Sequence, residues 1–292
     1  MSILIDGKKT AEKIHNELLE TVKQLKKENC QPKLTVILVG DDPASKVYVG
    51  HKQKACDKVG IVSETLLLPE DTTQDELLSK LKVLNRDKSV HGILVQLPLP
   101  DQISENKIIE AIVPDKDVDG FHPVNRGKLV SGENVFQPCT PAGIQYLLKE
   151  YHINPSGQHV VIVGRSNIVG KPLAVMMMQK KEWANATVTI CHTGSADLKR
   201  YTSQADILVS AVGRPGTITS DMVKDGAVVI DVGTNRVKDE TRKSGYRLCG
   251  DVDFEAVQSK VSAITPVPGG VGPMTIAMLL KNTVDSAIQH NK

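Results

Sequence analysis

The chain has 292 residues, of which 40% are hydrophobic and 24% charged, and its formal net charge is +2. This composition is typical of a globular protein, and such a length allows two domains of about 150 residues each. The charge is small and forms no basic stripe, which argues against a nucleic-acid partner. No stretch reaches the roughly 18 apolar residues of a membrane span, so no membrane partner is expected.

The cysteines indicate the compartment. There are five of them, widely spaced and without a Cys-x-x-Cys pair. Neither a disulfide framework nor a metal site is indicated by that pattern. The first residues resemble neither a signal peptide nor an Arg-rich presequence. We therefore predict a cytoplasmic protein without a bound metal.

Strand and helix patterns alternate over roughly the first 120 residues. Residues 8–28 carry apolar side chains at the spacing of one helix face, and buried strands are predicted at 33–40, 61–68 and 90–98. This alternation favours a parallel α/β sheet. Residues 114–140 are rich in Pro and Gly, and we expect a long loop there.

A second alternating series begins at residue 159. Its predicted strands are 159–163, 186–190, 206–210, 227–232 and 263–265. That spacing predicts a doubly wound, Rossmann-like domain. The last segment is predicted to be a helix that returns to the first domain.

We therefore predict an α/β fold of two domains with a cleft between them. The first domain is expected to comprise residues 1–140 together with the C-terminal helix 273–292. The second is expected to comprise residues 141–272 and to bind a dinucleotide.

Residues 160–170 have the order of a buried strand, a tight turn and a helix N-terminus, which suits the phosphates of a dinucleotide. The usual Gly-x-Gly-x-x-Gly pattern would need glycines where this chain has Ser166 and Val169. By itself, the stretch fits an ordinary strand-to-helix turn equally well.

The end of the next strand bears on cofactor choice. NAD-binding domains usually carry an acid there for the ribose 2′-hydroxyl, whereas this chain has Cys191, His192 and Thr193. Arg165, in the phosphate turn, could pair with a 2′-phosphate, or could be a solvated side chain at a loop tip. Together these features favour NADP over NAD.

The first domain holds a candidate catalytic group. Tyr48 and Lys52 are four residues apart and share a helix face. Lys52 could be a partly desolvated general base that Gln96, at a strand end, holds by a hydrogen bond, while Tyr48 stacks on a flat ligand. Alternatively, the Lys52 stem merely covers a half-buried tyrosine. Asp119 could bind an amino-substituted heterocycle or simply close a turn.

The Pro- and Gly-rich residues 265–275 fix a backbone path that another molecule can approach closely. This stretch could be a plain hinge, or a hinge that also lines the cleft.

Together these stretches resemble the bifunctional methylenetetrahydrofolate dehydrogenase/methenyltetrahydrofolate cyclohydrolase family over essentially the whole chain, in its stand-alone bacterial form. The motifs that carry the resemblance are Tyr48-x-x-x-Lys52, residues 91–100, 114–120, 138–141, 163–172, 231–233 and 266–275.

The resemblance implies a reaction and its residues. NADP+ would take a hydride from 5,10-methylenetetrahydrofolate, and water would open the methenyl product to 10-formyltetrahydrofolate. Lys52 would be the essential base or electrostatic group and Gln96 would set its protonation state. Tyr48 would stack on the folate, and Asp119 would bind the pterin ring.

The resemblance also implies binding positions and assembly. Pro268, Gly269 and Gly270 would line the folate cleft, and a homodimer is expected. The cofactor would be held by Gly164, Arg165, Ser166, Thr193 and Thr234. Thr193 replaces a Ser that is frequent in the family and keeps its hydroxyl. Thr234 replaces a frequent Ile at a position expected to contact the nicotinamide side through its backbone.

Two other functions are also compatible with the sequence. The chain could be a monofunctional NAD(P)-dependent methylenetetrahydrofolate dehydrogenase, although the presence of Tyr48, Lys52, Gln96 and Asp119 argues against that. It could also be a non-catalytic dinucleotide-binding protein.

Overall fold

Aliphatic strands and amphipathic helices alternate in a computed structural model that describes residues 2–242 and 245–291. The first ten elements are β1 Ile3–Leu4, α1 Gly7–Lys27, β2 Lys33–Val39, α2 Pro43–Val59, β3 Val62–Leu68, α3 Gln74–Arg86, β4 Gly92–Val95, α4 Glu105–Ala111, α5 Pro123–Val130 and α6 Cys139–Glu150. The remaining elements are β5 His159–Val163, α7 Gly170–Met178, β6 Thr187–Cys191, α8 Leu198–Thr202, β7 Ile207–Ser210, β8 Val228–Asp231, β9 Asn235–Lys238, β10 Tyr246–Cys249, α9 Phe254–Val257, β11 Ala263–Ile264 and α10 Val271–His290. Within the described ranges, no helix is long and apolar enough to cross a membrane.

The strands form two parallel sheets and one hairpin. A three-stranded sheet has the order β3–β2–β4, and a six-stranded sheet has the order β1–β11–β8–β7–β5–β6. In the larger sheet, Val161 of β5 lies opposite Thr189 on one side and Leu208 on the other. Strands β9 and β10 pair antiparallel. The predicted α/β class with parallel sheets is confirmed.

The chain packs into two compact units. One comprises residues 12–138 and 276–292 and contains the three-stranded sheet. The other comprises residues 1–11 and 139–275 and contains the six-stranded sheet. Helices cover the faces of parallel sheets, so their central strands are continuous apolar runs. Strand β2 accordingly buries six of its seven residues, and β5 buries four of its five.

Strand β1 and the β9–β10 hairpin are not predicted from the sequence. Strand β1 joins the six-stranded sheet, where Ile3 lies opposite Ala263 and Leu4 opposite Ile264. It is only two residues long, too short to show a period. The β9–β10 hairpin was also not predicted, because its strands are mostly polar and exposed.

The loop predicted over residues 114–140 is wrong in part, because helix α5 occupies its centre. The His122 side chain accepts a hydrogen bond from the Val124 N–H at 3.1 Å and caps this helix. Pro123 takes the first helical position, where its missing N–H costs nothing. The proline that suggested a loop in fact starts a helix.

Helix α10 ties down loops of the smaller sheet. The Asn282 side-chain amide donates to the backbone oxygens of Val118 at 2.8 Å and Gln137 at 3.1 Å. One turn further on, the Ser286 hydroxyl donates to the backbone oxygen of His91 at 2.6 Å. The C-terminal helix thus fixes the loop that precedes residue 119.

Candidate functional site

Tyr48 and Lys52 lie one turn apart on helix α2. The Asp42 side chain caps this helix by accepting the Ser45 N–H at 2.7 Å, and Pro43 begins it. Lys52 is only 7% exposed, whereas Tyr48 is 37% exposed. The Lys52 Nζ lies 5.6 Å from the centre of the Tyr48 ring. The helix therefore presents a buried amine beside a partly accessible aromatic ring, as its spacing predicts.

Gln96 follows directly after strand β4, and its side chain meets the amine. The Lys52 Nζ donates to the Gln96 Oε1 at 3.0 Å. The Gln96 Nε2 donates to the Leu97 backbone oxygen at 2.7 Å, which leaves the amide oxygen directed at Lys52. The Gln96 backbone N–H continues the sheet by donating to the Ile37 oxygen at 2.8 Å. This contact was predicted from the strand end.

Asp119 lies within electrostatic reach of Tyr48. Burial raises the pKa of the Tyr48 hydroxyl, and the negative charge of Asp119 raises that pKa further. The phenol therefore stays protonated at neutral pH and can donate a hydrogen bond. The structure brings Tyr48, Lys52, Gln96 and Asp119 into one neighbourhood of the smaller sheet's unit.

Two buried charges hold the turn that carries Asp119, and neither is predicted from the sequence. The Lys116 Nζ donates to three backbone oxygens at the end of helix α3, at 2.7–3.0 Å. The Asp117 carboxylate accepts the backbone N–H groups of Phe121 at 3.1 Å and His122 at 2.8 Å. Charged residues in a Gly-containing turn look solvated in sequence, so no local signal marks them as anchors.

The phosphate turn begins at Gly164, whose φ is +125°. A Cβ at this position would lie 2.3 Å from the Ala211 oxygen, so only glycine fits. Arg165 and Ser166 follow and are exposed. The Ser166 Oγ accepts the Val169 N–H at 3.1 Å and so closes the turn just before helix α7. The sequence does not predict this contact of Ser166.

The remaining predicted cofactor residues follow the carboxyl ends of β6 and β8. After β6, the Ser195 Oγ accepts the His192 N–H at 3.0 Å and closes a turn in which Thr193 is exposed. Thr234, three residues after the last residue of β8, is also exposed. Nucleotides bind at this edge of parallel sheets. The turn after β5 shares that edge of the six-stranded sheet.

The stretch Pro268 to Gly270 lies between β11 and α10 in the same unit. Pro268 is exposed, Gly269 is half-buried and Gly270 is buried. The Lys8 backbone N–H donates to the Gly269 oxygen at 2.9 Å, so the start of α1 fixes this stretch. Each predicted group of residues thus has a defined place within its own unit.

A buried carboxylate ends strand β8. Asp231 is 3% exposed and accepts the backbone N–H groups of Gly233, Asp251 and Val252, each at 2.9 Å. Burial, partly offset by these N–H groups, raises the pKa of Asp231 to about 6, and the nearby Asp251 carboxylate acts in the same direction.

Two family models match the chain. The catalytic domain of the tetrahydrofolate dehydrogenase/cyclohydrolase family matches residues 5–119. The NAD(P)-binding domain of the same family matches residues 138–291. The first match contains the Lys52 neighbourhood, and the second contains the phosphate turn.

Similar proteins match along nearly their whole length. A bifunctional protein FolD of Prosthecochloris aestuarii is 57% identical over 293 residues, covering 99% of each chain. The crystal structure of the bifunctional enzyme FolD, methylenetetrahydrofolate dehydrogenase/cyclohydrolase, from Campylobacter jejuni has a TM-score of 0.94 and 52% identity over 99% of each chain. A Trypanosoma brucei FolD complexed with NADP cofactor and an inhibitor has a TM-score of 0.92 and 38% identity, covering 99% of this chain and 98% of that one.

The raised pKa of Asp231 has a consequence for stability. The unfolded carboxyl loses its proton near pH 3.9, whereas the folded one keeps it until about pH 6. The free energy of unfolding should therefore fall as the pH rises through this window, by on the order of 3 kcal/mol from this group. Urea unfolding of the wild type and of Asp231→Asn at several pH values measures this component. The variant has no carboxyl to titrate, so equal pH slopes in the two proteins would contradict the prediction.

Proposed function

Because the chain belongs to the tetrahydrofolate dehydrogenase/cyclohydrolase family, we propose that the Lys52 amine carries the proton-dependent chemistry of its active site. The chain is a bifunctional enzyme that oxidises 5,10-methylenetetrahydrofolate to the methenyl compound and hydrolyses that compound to 10-formyltetrahydrofolate. The observation that carries the residue assignment is the 3.0 Å hydrogen bond from the buried Lys52 Nζ to the Gln96 Oε1.

The residues of the six-stranded sheet fit an NADP cofactor. The turn at Gly164 packs so closely on Ala211 that no side chain fits there, which leaves backbone at the surface for a phosphate group. Exposed Arg165 and Thr193 offer a guanidinium and a hydroxyl to a 2′-phosphate. When bound, NADP+ supplies the hydride acceptor.

The oxidation requires no side chain to donate or accept a proton. Hydride leaves a carbon that lies between two nitrogens, and their lone pairs stabilise the resulting cation. The protein's contribution is to align the folate. The partly exposed Tyr48 ring supports stacking on the folate, and the Asp119 carboxylate supports accepting N–H groups of the pterin ring. Pro268, Gly269 and Gly270 are proposed to contact the folate through backbone.

The hydrolysis does require proton transfer. Water adds to the methenyl carbon and loses a proton. One carbon–nitrogen bond then breaks: the departing nitrogen takes the electron pair and a proton, and the hydroxyl loses its proton to become the formyl oxygen, so one proton is released in all. We assign the handling of this proton to the Lys52 amine. Gln96 accepts one N–H of the amine and so fixes its direction, which supports a positioning role for Gln96. One amine can thus serve an enzyme with two activities.

Replacing Lys52 tests this assignment. In Lys52→Met we expect cyclohydrolase activity to fall by about 100-fold or more, because the group that accepts the proton is lost. The methenyl chromophore and NADPH, followed by absorbance in the wild type and the variant, separate the two activities. Exposed Lys54 on the same helix provides a control, since Lys54→Met keeps the Lys52–Gln96 pair. Normal hydrolysis in Lys52→Met would refute the assignment.

The cofactor preference is proposed to be NADP over NAD. Residues 187–196 contain no acid that would bind a free ribose 2′-hydroxyl or repel a 2′-phosphate. Arg165 is exposed in the adjoining turn and supplies the positive charge.

The variant Arg165→Ala tests whether Arg165 distinguishes NADP+ from NAD+. We expect the KM for NADP+ to rise by about tenfold or more, the worth of a charge-assisted hydrogen bond, while the KM for NAD+ changes by less than about twofold. Initial rates with each cofactor at saturating folate provide the comparison. Equal losses with both would show that Arg165 does not read the 2′-phosphate.

We also propose a homodimer that forms through β6, an edge strand of the six-stranded sheet. Ile190 on β6 is 37% exposed and Met178 at the end of α7 is 55% exposed, which leaves apolar surface at an open edge. Sedimentation equilibrium should show a dimer for the wild type and a monomer for Ile190→Asp. Leu67→Asp, on the edge strand β3 of the other sheet, should leave the dimer intact. A monomeric wild type would contradict the proposal.

The cytoplasm is the proposed location. The five cysteines form no disulfide, and four of them are buried. Several cysteines without a disulfide are typical of proteins in a reducing compartment.

A further inference from the structure

One buried carboxylate connects two loops at the carboxyl edge of the six-stranded sheet. The Asp251 Oδ2 accepts the backbone N–H groups of Val212 at 2.7 Å and Gly213 at 3.2 Å, and its Oδ1 accepts that of Arg214 at 3.0 Å. The same Oδ1 accepts the Asn235 side-chain amide at 3.0 Å. The first three residues follow β7, and Asn235 is the first residue of β9, at the end of the loop after β8.

Glycine backbone lies very close to the carboxylates of Asp251 and its neighbour Asp231. A Cβ at Gly233 would lie 2.2 Å from the Asp251 Oδ1, and a Cβ at Gly250 would lie 1.8 Å from the Asp231 Oδ2. The Ser210 hydroxyl donates to the Asp251 Oδ2 at 3.3 Å. Five donors therefore converge on the Asp251 carboxylate, and the chain has a glycine at position 233, where a side chain would collide with that carboxylate.

The first of these loops also supports the phosphate turn. The Ala211 backbone N–H donates to the Val163 oxygen at 2.8 Å. A Cβ at Gly164 would lie only 2.3 Å from the Ala211 oxygen. Ala211 is the residue immediately before the three amides that Asp251 holds. A shift of the loop after β7 would therefore move the Ala211 backbone, against which Gly164 of the phosphate turn packs.

Asp251 cannot itself touch a bound molecule, because its exposure is 0%. A buried carboxylate that accepts several N–H groups is stable only with those donors in place, and the donors lose their acceptor if it is removed. Any effect of Asp251 on a ligand must therefore act through the loops after β7 and β8. Those loops lie at the edge where dinucleotides bind.

We propose that Asp251 is a positioning residue for the dinucleotide, holding the loops after β7 and β8 and, through Ala211, the phosphate turn. This inference rests on the proposed function of that turn. Loss of Asp251 should therefore impair the dehydrogenase activity alone, since hydrolysis of the methenyl compound consumes no dinucleotide.

Asp251→Asn tests the proposal in the full-length enzyme. Its carboxamide has nearly the same shape but keeps one acceptor oxygen, and its nitrogen would face N–H donors. We expect the KM and the dissociation constant for NADP+ to rise by about tenfold or more. Hydrolysis of supplied methenyltetrahydrofolate should keep its kcat/KM within about twofold, a separation that general loss of folding would not produce. Asp253→Asn is the control, since exposed Asp253 only caps the short helix α9.

Two milder variants extend the test if Asp251→Asn does not fold. Asn235→Ala and Ser210→Ala each remove one donor to the carboxylate, and each should raise the KM for NADP+ by a smaller factor with hydrolysis retained. An unchanged NADP+ affinity in the folded variants, or a parallel loss of both activities, would overturn the positioning role. A wild-type protein that turns over neither folate would instead refute the proposed function.

Discussion

A buried amine needs an oxygen acceptor at hydrogen-bond distance, and the packing of helix α2 on the smaller sheet provides one for Lys52. The acceptor, the Gln96 Oε1 at 3.0 Å, belongs to the residue that follows β4. Gln96 is itself held by its backbone N–H and by its own side-chain bond to Leu97. The position of the amine is therefore set by the sheet backbone, and the chemistry proposed for Lys52 depends on that placement.

Buried charges recur in this protein as anchors of loops. Lys116 donates to three carbonyls at the end of α3, and Asp251 accepts three successive amides after β7. A charge withdrawn from water is costly unless polar groups surround it. Backbone groups of irregular segments meet that need and are fixed in return. In the unit of the smaller sheet, these bonds hold the turn that carries Asp119. In the other unit, they hold the loop after β7, which begins next to Ala211, the residue that Gly164 of the phosphate turn approaches closely.

The two units contain different kinds of chemistry. The neighbourhood of Lys52 offers ionisable groups, with a buried amine, a phenol whose pKa is raised and the Asp119 carboxylate nearby. The edge of the six-stranded sheet offers backbone, hydroxyls and the guanidinium of Arg165. This difference matches the two reactions, since hydride removal requires alignment and hydrolysis requires proton transfer.

The sequence by itself determined the elements whose information is local. Strands β2 and β5 are visible as continuous apolar runs. The shared helix face of Tyr48 and Lys52 follows from the period of 3.6, and the turn after residue 163 follows from the placement of glycine. The α/β class follows from the alternation of those elements. Pro123 is misleading in the sequence because proline suits both a loop and the first turn of a helix.

Only the tertiary structure decided which polar residues are buried and what they hold. Strand β1 has two residues and finds its partner in β11, near the other end of the chain. Asp251 binds the amide of Val212, 39 residues earlier, and nothing next to Asp251 in sequence distinguishes it from a solvated turn residue. Burial of a charge depends on all the segments that converge on it. Local periodicity does not contain that information, whereas the folded chain does.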